Sequence, residues 1–184
     1  MGKTYDSVNP ALADWIAAQR MFFVATAPLA AGGYVNVSPK GLDSFCVVGP
    51  RQVAYLDVTG SGAETIAHVR ENGRIVVMFC AFEGPPKIVR LHGVGTVVTK
   101  TSADWDGWSA KFPELDLPRS IVIVDVTRVS DSCGYGVPQM DFVQERDFFG
   151  PWAAAKGPAG ALAYRREKNL KSLDGLPALD ERDV

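Results

Sequence analysis

The residues best suited to chemistry form the loop Thr59-Gly60-Ser61-Gly62, which follows the apolar run Tyr55 to Val58. Glycines let the backbone approach a ligand closely, and the hydroxyl groups of the loop and of Thr65 are hydrogen-bond donors. A helix predicted from near Ala63 adds amides that point outward, unpaired, at the positive end of its dipole. A strand, a turn of small residues and a helix start together predict a site that can hold a phosphate group.

The same residues also have a purely structural interpretation. Ser61 and Glu64 have the spacing of a capping box, in which two side chains satisfy each other's backbone amides at a helix start. The loop also lacks the Gly-x-Gly-x-x-Gly pattern of dinucleotide sites, and no lysine follows its glycines as in a P-loop. From the loop alone, both interpretations stay open.

A second candidate segment is Asn36-Val37-Ser38-Pro39-Lys40-Gly41. Here the end of a predicted strand delivers Ser38 and Lys40 around a proline that fixes the backbone. The Lys40 ammonium group could neutralise a phosphate as a point charge. The alternative is an ordinary hairpin turn with an exposed lysine.

A third candidate segment runs from Gly84 to Gly93 and carries three basic side chains. Because side chains alternate along a strand, Arg90 and His92 are predicted on one face and Lys87 on the other. Both arginine and lysine could contact one ligand only if the strand is twisted or bulged. Structural roles for Arg90 and His92 are the alternative, since a lone histidine is more often structural than catalytic.

Composition excludes several classes of protein. The chain has 184 residues, a formal net charge of -2 and 47% hydrophobic residues, and no dense run of lysine or arginine occurs, so nucleic acid is not an expected partner. No apolar run approaches the ~18 residues that span a bilayer, and no signal peptide is evident, so we expect no membrane partner and a cytoplasmic protein. Cys46, Cys80 and Cys133 lack the spacing of a zinc site, and two histidines are too few for a histidine-rich one, so no metal is predicted.

The predicted elements are mostly strands. A helix should begin at Asn9-Pro10 and pack through Trp15, and shorter helices are expected over about 63–71 and 102–112. Punctuation by glycine, proline and asparagine delimits the strands, which are predicted at Phe22 to Ala27, Tyr34 to Val37, Phe45 to Val48, Val53 to Asp57, Arg74 to Ala81, Ile88 to Thr99 and Ser120 to Val129.

This succession favours a mainly β protein with helices (α+β), folded as an antiparallel barrel. The run Arg74 to Cys80 is apolar on both faces, as in a central strand, and Gly93 and Gly95 indicate a bend or bulge. We expect one domain over 1–184, with an N-terminal helix in 1–20 and an appendage over 141–184. The aromatic residues Trp105, Trp108 and Trp152 could be interface anchors or core residues.

The order of the three candidate segments resembles the FMN-binding split-barrel family typified by pyridoxamine 5'-phosphate oxidase. The resemblance covers about Phe22 to Val129, and the later segment Ser132 to Pro138 is similar to a subgroup described only as oxidase-like flavoproteins. It implies an antiparallel split β-barrel of the FMN-binding type, FMN as cofactor, and a homodimer with the cofactor at the interface.

The resemblance also implies which positions contact FMN. The amides near Val37 and Ser38 would face the flavin ring, Lys40 would approach the phosphate, and Leu56 and Asp57 would form the second strand of the site. The phosphate loop falls on Thr59 to Gly62, with Thr65 as a further hydroxyl. The complete implied set is Asn36, Val37, Ser38, Pro39, Lys40, Leu56, Asp57, Thr59, Gly60, Ser61, Gly62, Thr65, Lys87 and Arg90.

Two departures from the family pattern remove phosphate cations. Ser61-Gly62-Ala63 stands where a serine-arginine-lysine run is expected, and an arginine is missing at the start of the first strand. The charge on the site must therefore come from Lys40 and from Lys87 or Arg90. The C-terminal arginine and histidine pattern for pyridoxamine phosphate is also absent, which places the vitamin B6 reaction in doubt.

The functional prediction is an FMN-dependent oxidoreductase acting on an unknown small molecule, with the flavin exchanging a hydride through N5. No Ser-His-Asp set or suggestive carboxylate pair competes with it, and no catalytic residue is assigned. The alternative is a non-catalytic split barrel that binds or senses flavin, deazaflavin or haem. A haem would need an axial ligand, for which the candidates are His68, His92, Cys133 and Tyr135. His68, inside the predicted second helix, is expected at the surface or an interface.

Overall fold

Strands form where β-branched and aromatic residues run between glycine, proline and asparagine. The computed structural model describes residues 2–184, and the strands within that range are β1 Thr4–Tyr5, β2 Phe22–Thr26, β3 Asn36–Lys40, β4 Phe45–Gly49, β5 Gln52–Val58, β6 Arg74–Cys80, β7 Ile88–Thr99 and β8 Pro118–Ser132. They form one antiparallel sheet in the order β3-β2-β6-β7-β8-β5-β4, with β1 paired to the end of β8. The predicted α+β class and antiparallel sheet are confirmed.

Helices decorate this sheet, and those of residues 2–184 are α1 Pro10–Ala17, α2 Glu64–Asn72, α3 Trp105–Ser109 and α4 Phe149–Lys168. The α1 prediction is confirmed, because the Asn9 side chain accepts a hydrogen bond from the Leu12 amide and Pro10 begins the helix. The α4 backbone is not continuous. Gly157 has a φ of 60° and ψ of 176°, and Pro158 follows it, so the helix breaks there.

The main core lies inside the curved sheet. Val24, Val77 and Leu91 are fully buried there, and α1 covers one end of this core with Leu12 and Ile16. A second apolar cluster joins α2 to the C-terminal segment, and a third lies on the outer face of β5 and β8 beneath α3. Trp105 and Trp108 are half-buried on that third cluster; their role at an interface stays a prediction.

The strands at the centre of the sheet agree closely with their predictions from the sequence. The predicted bounds of β7 are correct, and β6 lies between β2 and β7, as its two apolar faces predicted. The pairing of β7 with β8 shifts between His92 and Gly93, which confirms the predicted bulge. A side chain at Gly93 would collide with the Asp125 carbonyl oxygen, so the two strands approach each other at this point.

Three predicted elements were wrong in extent. β3 continues through Ser38-Pro39-Lys40 instead of ending at Val37, because it is an edge strand, where proline is tolerated. The helix expected over 102–112 is only the five residues of α3, since the Ser102 hydroxyl accepts the Thr99 amide and shapes a turn. β8 extends beyond Val129 to Ser132, where it pairs with β1 and β7, and β1 itself was not predicted.

Candidate functional site

The site begins on β3, whose residues alternate between two faces. Asn36, Ser38 and Lys40 lie on the partly buried face, whereas Val37 and Pro39 lie on the exposed one. The Ser38 hydroxyl donates to the Asn36 side-chain oxygen at 3.0 Å. This alternation points the polar side chains of the first candidate segment towards β5 and α2.

Asp57 of β5 is the charged centre of the site. Its carboxylate is 3% exposed and accepts hydrogen bonds from the Lys40 Nζ atom at 2.6 Å and the Arg119 Nε atom at 2.7 Å. Burial alone would raise the pKa of Asp57, but the charges of Arg119 and Lys40 outweigh it and lower that pKa to about 2. The three groups together carry a net charge of +1, and both cations are held in place by one anion.

The loop after β5 presents unengaged backbone amides. Within residues 2–184, the amides of Gly60, Ser61 and Gly62 donate no hydrogen bond, and no side chain caps α2, which begins after Ala63. The capping-box interpretation of Ser61 and Glu64 is therefore wrong. The Glu64 carboxylate instead folds over Gly62 and accepts the Leu173 amide at 3.3 Å.

The Gly60 carbonyl oxygen and the Thr59 hydroxyl, by contrast, are engaged. Arg119 and Asn169 donate to the Gly60 carbonyl oxygen at 3.1 and 2.9 Å. The Thr59 hydroxyl donates to the Leu117 carbonyl oxygen at 2.8 Å and accepts from the Arg165 Nε atom at 2.8 Å. Thr59 thus stabilises the loop, and its hydroxyl proton is already donated to a protein acceptor.

A buried polar network connects β3 to α2. The Asn36 side-chain amide donates to the Thr65 hydroxyl at 3.0 Å and to the Thr26 hydroxyl at 3.4 Å, and the Thr26 hydroxyl lies 3.0 Å from Nδ1 of His68. His68 is completely buried, so its predicted surface position is wrong. The helix turns this residue inward, beneath β2, and its Nε2 atom lies 3.9 Å from the Asp174 carboxylate.

These elements enclose a cavity of about 400 Å³. We name it the loop cavity. The predicted site residues that line it are Ser38, Pro39, Lys40, Leu56, Thr59, Gly60, Gly62 and Thr65, and Arg119, Glu64 and Phe149 line it as well. Asn36 and Asp57 lie behind this lining and hold Thr65, Lys40 and Arg119. Val37 points to the exposed face of β3, and Ser61 does not line the cavity.

The third candidate segment lies elsewhere in this chain. Neither Lys87 nor Arg90 lines the loop cavity: the Lys87 ammonium group lies 4.9 Å from the centre of the Trp15 ring, and Arg90 donates to the Ser132 hydroxyl at 3.0 Å. Their predicted contact with the cofactor would need a second subunit.

The candidate haem ligands and the cysteines do not line the loop cavity. His68, His92, Cys133 and Tyr135 line neither this cavity nor the larger one beside it. Cys133 is exposed, whereas burial raises the pKa of both the Cys46 and the Cys80 thiols.

Arg119 and Arg165 are the basic residues of the site that the sequence prediction did not include. A signal existed for Arg119, because Asp57 lies in an otherwise apolar strand and a buried carboxylate needs a cation. Arg119 precedes Ser120, which pairs with Asp57 across β5 and β8. No comparable signal marks Arg165, which reaches the loop from α4 over 106 positions of sequence.

Comparison with known proteins places this geometry in a family. A family model described as pyridoxamine 5'-phosphate oxidase matches residues 8–133, more than half of the chain. A protein of Aspergillus flavus, named pyridoxamine 5'-phosphate oxidase family protein ustO, is 41% identical over 192 aligned residues, which cover 95% of this chain and 77% of the fungal protein. The chain belongs to the pyridoxamine 5'-phosphate oxidase family. The family resemblance predicted from the sequence is thereby confirmed.

Solved structures confirm the fold. HupZ of Group A Streptococcus aligns with a TM-score of 0.52 and 23% identity, covering 66% of this chain and 90% of HupZ. A Lactobacillus delbrueckii protein proposed to be a pyridoxamine 5'-phosphate oxidase aligns with a TM-score of 0.52 and 18% identity, covering 69% of this chain and 98% of its own. The predicted antiparallel split barrel is therefore the fold of this family member.

Across residues 2–184, histidine, cysteine, aspartate and glutamate side chains nowhere form a group of three that could hold a metal ion. Among the helices of this part of the chain, none has the length and apolar character needed to cross a membrane.

Proposed function

We propose that this family member is an FMN-binding oxidoreductase that acts on a small molecule. One observation carries the proposal: Lys40 and Arg119 are fixed by a shared carboxylate beside a loop whose amides at Gly60, Ser61 and Gly62 are unengaged. Unpaired amides at a helix start, together with two cations, match the needs of a phosphate dianion.

The donor set of the loop cavity fits FMN. The Gly60 and Gly62 amides and Arg119 would bind the phosphate, and Lys40 would supply a further charge from β3. Position 60 has open space where a side chain would stand, so a ligand can approach the backbone there. One feature opposes an anion: the Glu64 carboxylate also lines the cavity, although the Leu173 amide partly satisfies it.

The chain's own residues would bind and orient the cofactor. When bound, FMN supplies hydride and electron transfer at its N5 atom. Asn36 holds Ser38 and Thr65, so the polar wall beside the loop is rigid before binding. This role for β3 agrees with the backbone contacts at Val37 and Ser38 that the family resemblance implies.

The first test is the binding of FMN and of riboflavin, which lacks the phosphate. The protein should show a flavin spectrum when purified or after addition of FMN. Lys40→Ala and Arg119→Ala should each weaken FMN about 10- to 100-fold, since a charge-assisted hydrogen bond contributes about 1.5–3 kcal/mol. Riboflavin affinity should change much less, and Arg51→Ala, at an exposed arginine that does not line the cavity, should change neither.

Protein without flavin absorbance that also fails to take up FMN would contradict the proposal. Equal losses of FMN and riboflavin affinity would contradict the phosphate site alone. Turnover is tested separately, by reduction of bound flavin with NADH or NADPH and reoxidation by oxygen or quinones. A flavin that neither step affects would favour the non-catalytic binding alternative, and a Soret band would indicate haem instead.

The proposal includes a homodimer. Lys87 and Arg90 lie outside the loop cavity of their own chain, and the apolar side chains of Tyr34, Val35 and Val37 beside β3 are more than 60% exposed. A second copy would cover these apolar residues. Light scattering should give twice the chain mass, and Arg90→Ala should weaken FMN if the partner supplies this residue.

A further inference from the structure

A larger cavity of about 1290 Å³ adjoins the loop cavity. We name it the aromatic cavity, because its walls include Trp15, Phe82, Phe142, Phe149 and Trp152. These residues come from α1, from the turn between β6 and β7, from the segment before α4 and from α4 itself. Its volume exceeds the roughly 300–1,000 Å³ of an ordinary ligand pocket.

Hydrogen bonds hold the walls of the aromatic cavity in place. The Met140 amide donates to the Phe82 carbonyl oxygen at 2.8 Å, and the Phe142 amide donates to the Glu83 carboxylate at 2.8 Å. The Arg20 guanidinium lies 4.7 Å from the centre of the Phe142 ring. The segment before α4 is therefore tied to the turn after β6 and to the end of α1.

Aromatic stacking fixes the remaining wall. The Phe149 ring stacks on Trp152 with 5.8 Å between ring centres, and Trp152 meets Tyr164 edge-on at 5.5 Å. The first contact lies within the first half of α4, and the second joins its two halves across the break at Gly157, so the aromatic side chains that face the cavity are held by both halves. Contacts within one chain therefore shape the walls of the aromatic cavity.

The two cavities share part of their lining. Pro39, Lys40, Gly41, Leu42 and Phe149 line both of them. A ligand in the aromatic cavity would therefore lie against the edge of whatever occupies the loop cavity. We propose that the aromatic cavity binds the substrate, and that this substrate has an aromatic or extended apolar body; the assignment as a substrate rests on the proposed flavin in the loop cavity.

The charged groups around the aromatic cavity favour this substrate class over a phosphate ester. Lys40, which stands between the cavities, would already serve the phosphate of the proposed flavin while it is paired with Asp57, and Glu83 accepts the Phe142 amide. Arg20 and Arg146 are exposed at the rim. A phosphate dianion would find no buried, unpaired cation there, whereas an apolar body would bury the aromatic walls.

A blocking substitution with a matched control tests the proposal. Ala18 follows α1 and lines the aromatic cavity, whereas Ala17 is exposed on the same helix and does not line it. The probe is Nile red, a neutral aromatic dye, titrated into the full-length protein with and without FMN. Ala18→Phe should weaken Nile red binding about tenfold or more, and Ala17→Phe should leave it unchanged.

FMN affinity and oligomeric state are measured on the same samples. Both variants should match the wild type in each, and pyridoxamine 5'-phosphate should not displace the dye. Dye binding unaffected by Ala18→Phe, equal loss in both variants, or displacement by pyridoxamine 5'-phosphate would overturn the proposal. A changed oligomeric state in Ala18→Phe alone would also overturn it, because the cavity would then be an interface between copies. Failure to bind FMN with dye binding intact would instead refute the flavin proposal and support an aromatic-binding cavity.

Discussion

Replacing Asp57 with asparagine tests the charged centre of the site. The pKa of Asp57 falls from 3.8 to about 2 because Arg119 and Lys40 outweigh the effect of burial. A difference of roughly two pKa units corresponds to about 2–3 kcal/mol of unfolding free energy at neutral pH. Because the folded pKa lies below the unfolded one, this stabilisation is complete above about pH 4 and disappears as the pH falls through 2.

Urea unfolding between pH 2 and 7 measures this contribution. Asp57→Asn should lower the unfolding free energy by about 2–3 kcal/mol at pH 7, and the gap to the wild type should close towards pH 2. Asp14→Asn, at an exposed position on α1, is the control and should follow the wild type. A gap below about 1 kcal/mol at pH 7, or one that does not change with pH, would refute the idea that an ionised Asp57 anchors both cations.

Two further predictions concern the loop and the bulge. Arg165→Met removes a positive charge from a side chain that is 4% exposed, together with a hydrogen bond to Thr59. In paired titrations, FMN affinity should therefore fall about tenfold more than riboflavin affinity. Equal losses of the two affinities would indicate that Arg165 has only a structural role. Gly93→Ala should destabilise the protein by about 1–3 kcal/mol in urea unfolding, because its methyl group would meet the Asp125 carbonyl oxygen. Gly49→Ala, which has open space, should cost less, and equal costs would argue against the close strand approach.

Most of the sheet could be predicted from the sequence because its signals are local. The strand at Ile88–Thr99 is bounded by prolines before it and polar residues after it, and its glycines mark the bulge. β3 shows the limit of such signals. Judged from neighbouring residues alone, Pro39 predicts the end of a strand. Proline is nevertheless tolerated in an edge strand, and only the order of the whole sheet shows that β3 lies at the edge.

The site was predictable where it is continuous in sequence and not where distant elements meet. Thr59, Gly60 and Gly62 of the loop line one cavity together with Lys40, although β3 and β5 do not pair in the sheet. Arg119 could be identified as the partner of Asp57 only from the pairing of β8 with β5. The burial of His68 was not predicted, because the sequence of a nine-residue helix with mixed polarity does not show which face is buried. Lys87 and Arg90 stay predicted cofactor contacts that a second subunit would have to provide.

The support that α4 gives to the loop has a consequence for synthesis of the chain. Arg165 and Asn169 reach Thr59 and Gly60 across 106 and 109 positions. At about 5–20 residues per second, a ribosome delivers these two residues roughly 5–20 s after the loop itself. During that interval the nascent barrel carries a loop whose buried hydroxyl and carbonyl groups lack their final partners. The proposed flavin site would therefore gain its final form only after Arg165 and Asn169 have been synthesised, so flavin binding would not guide the first strands together.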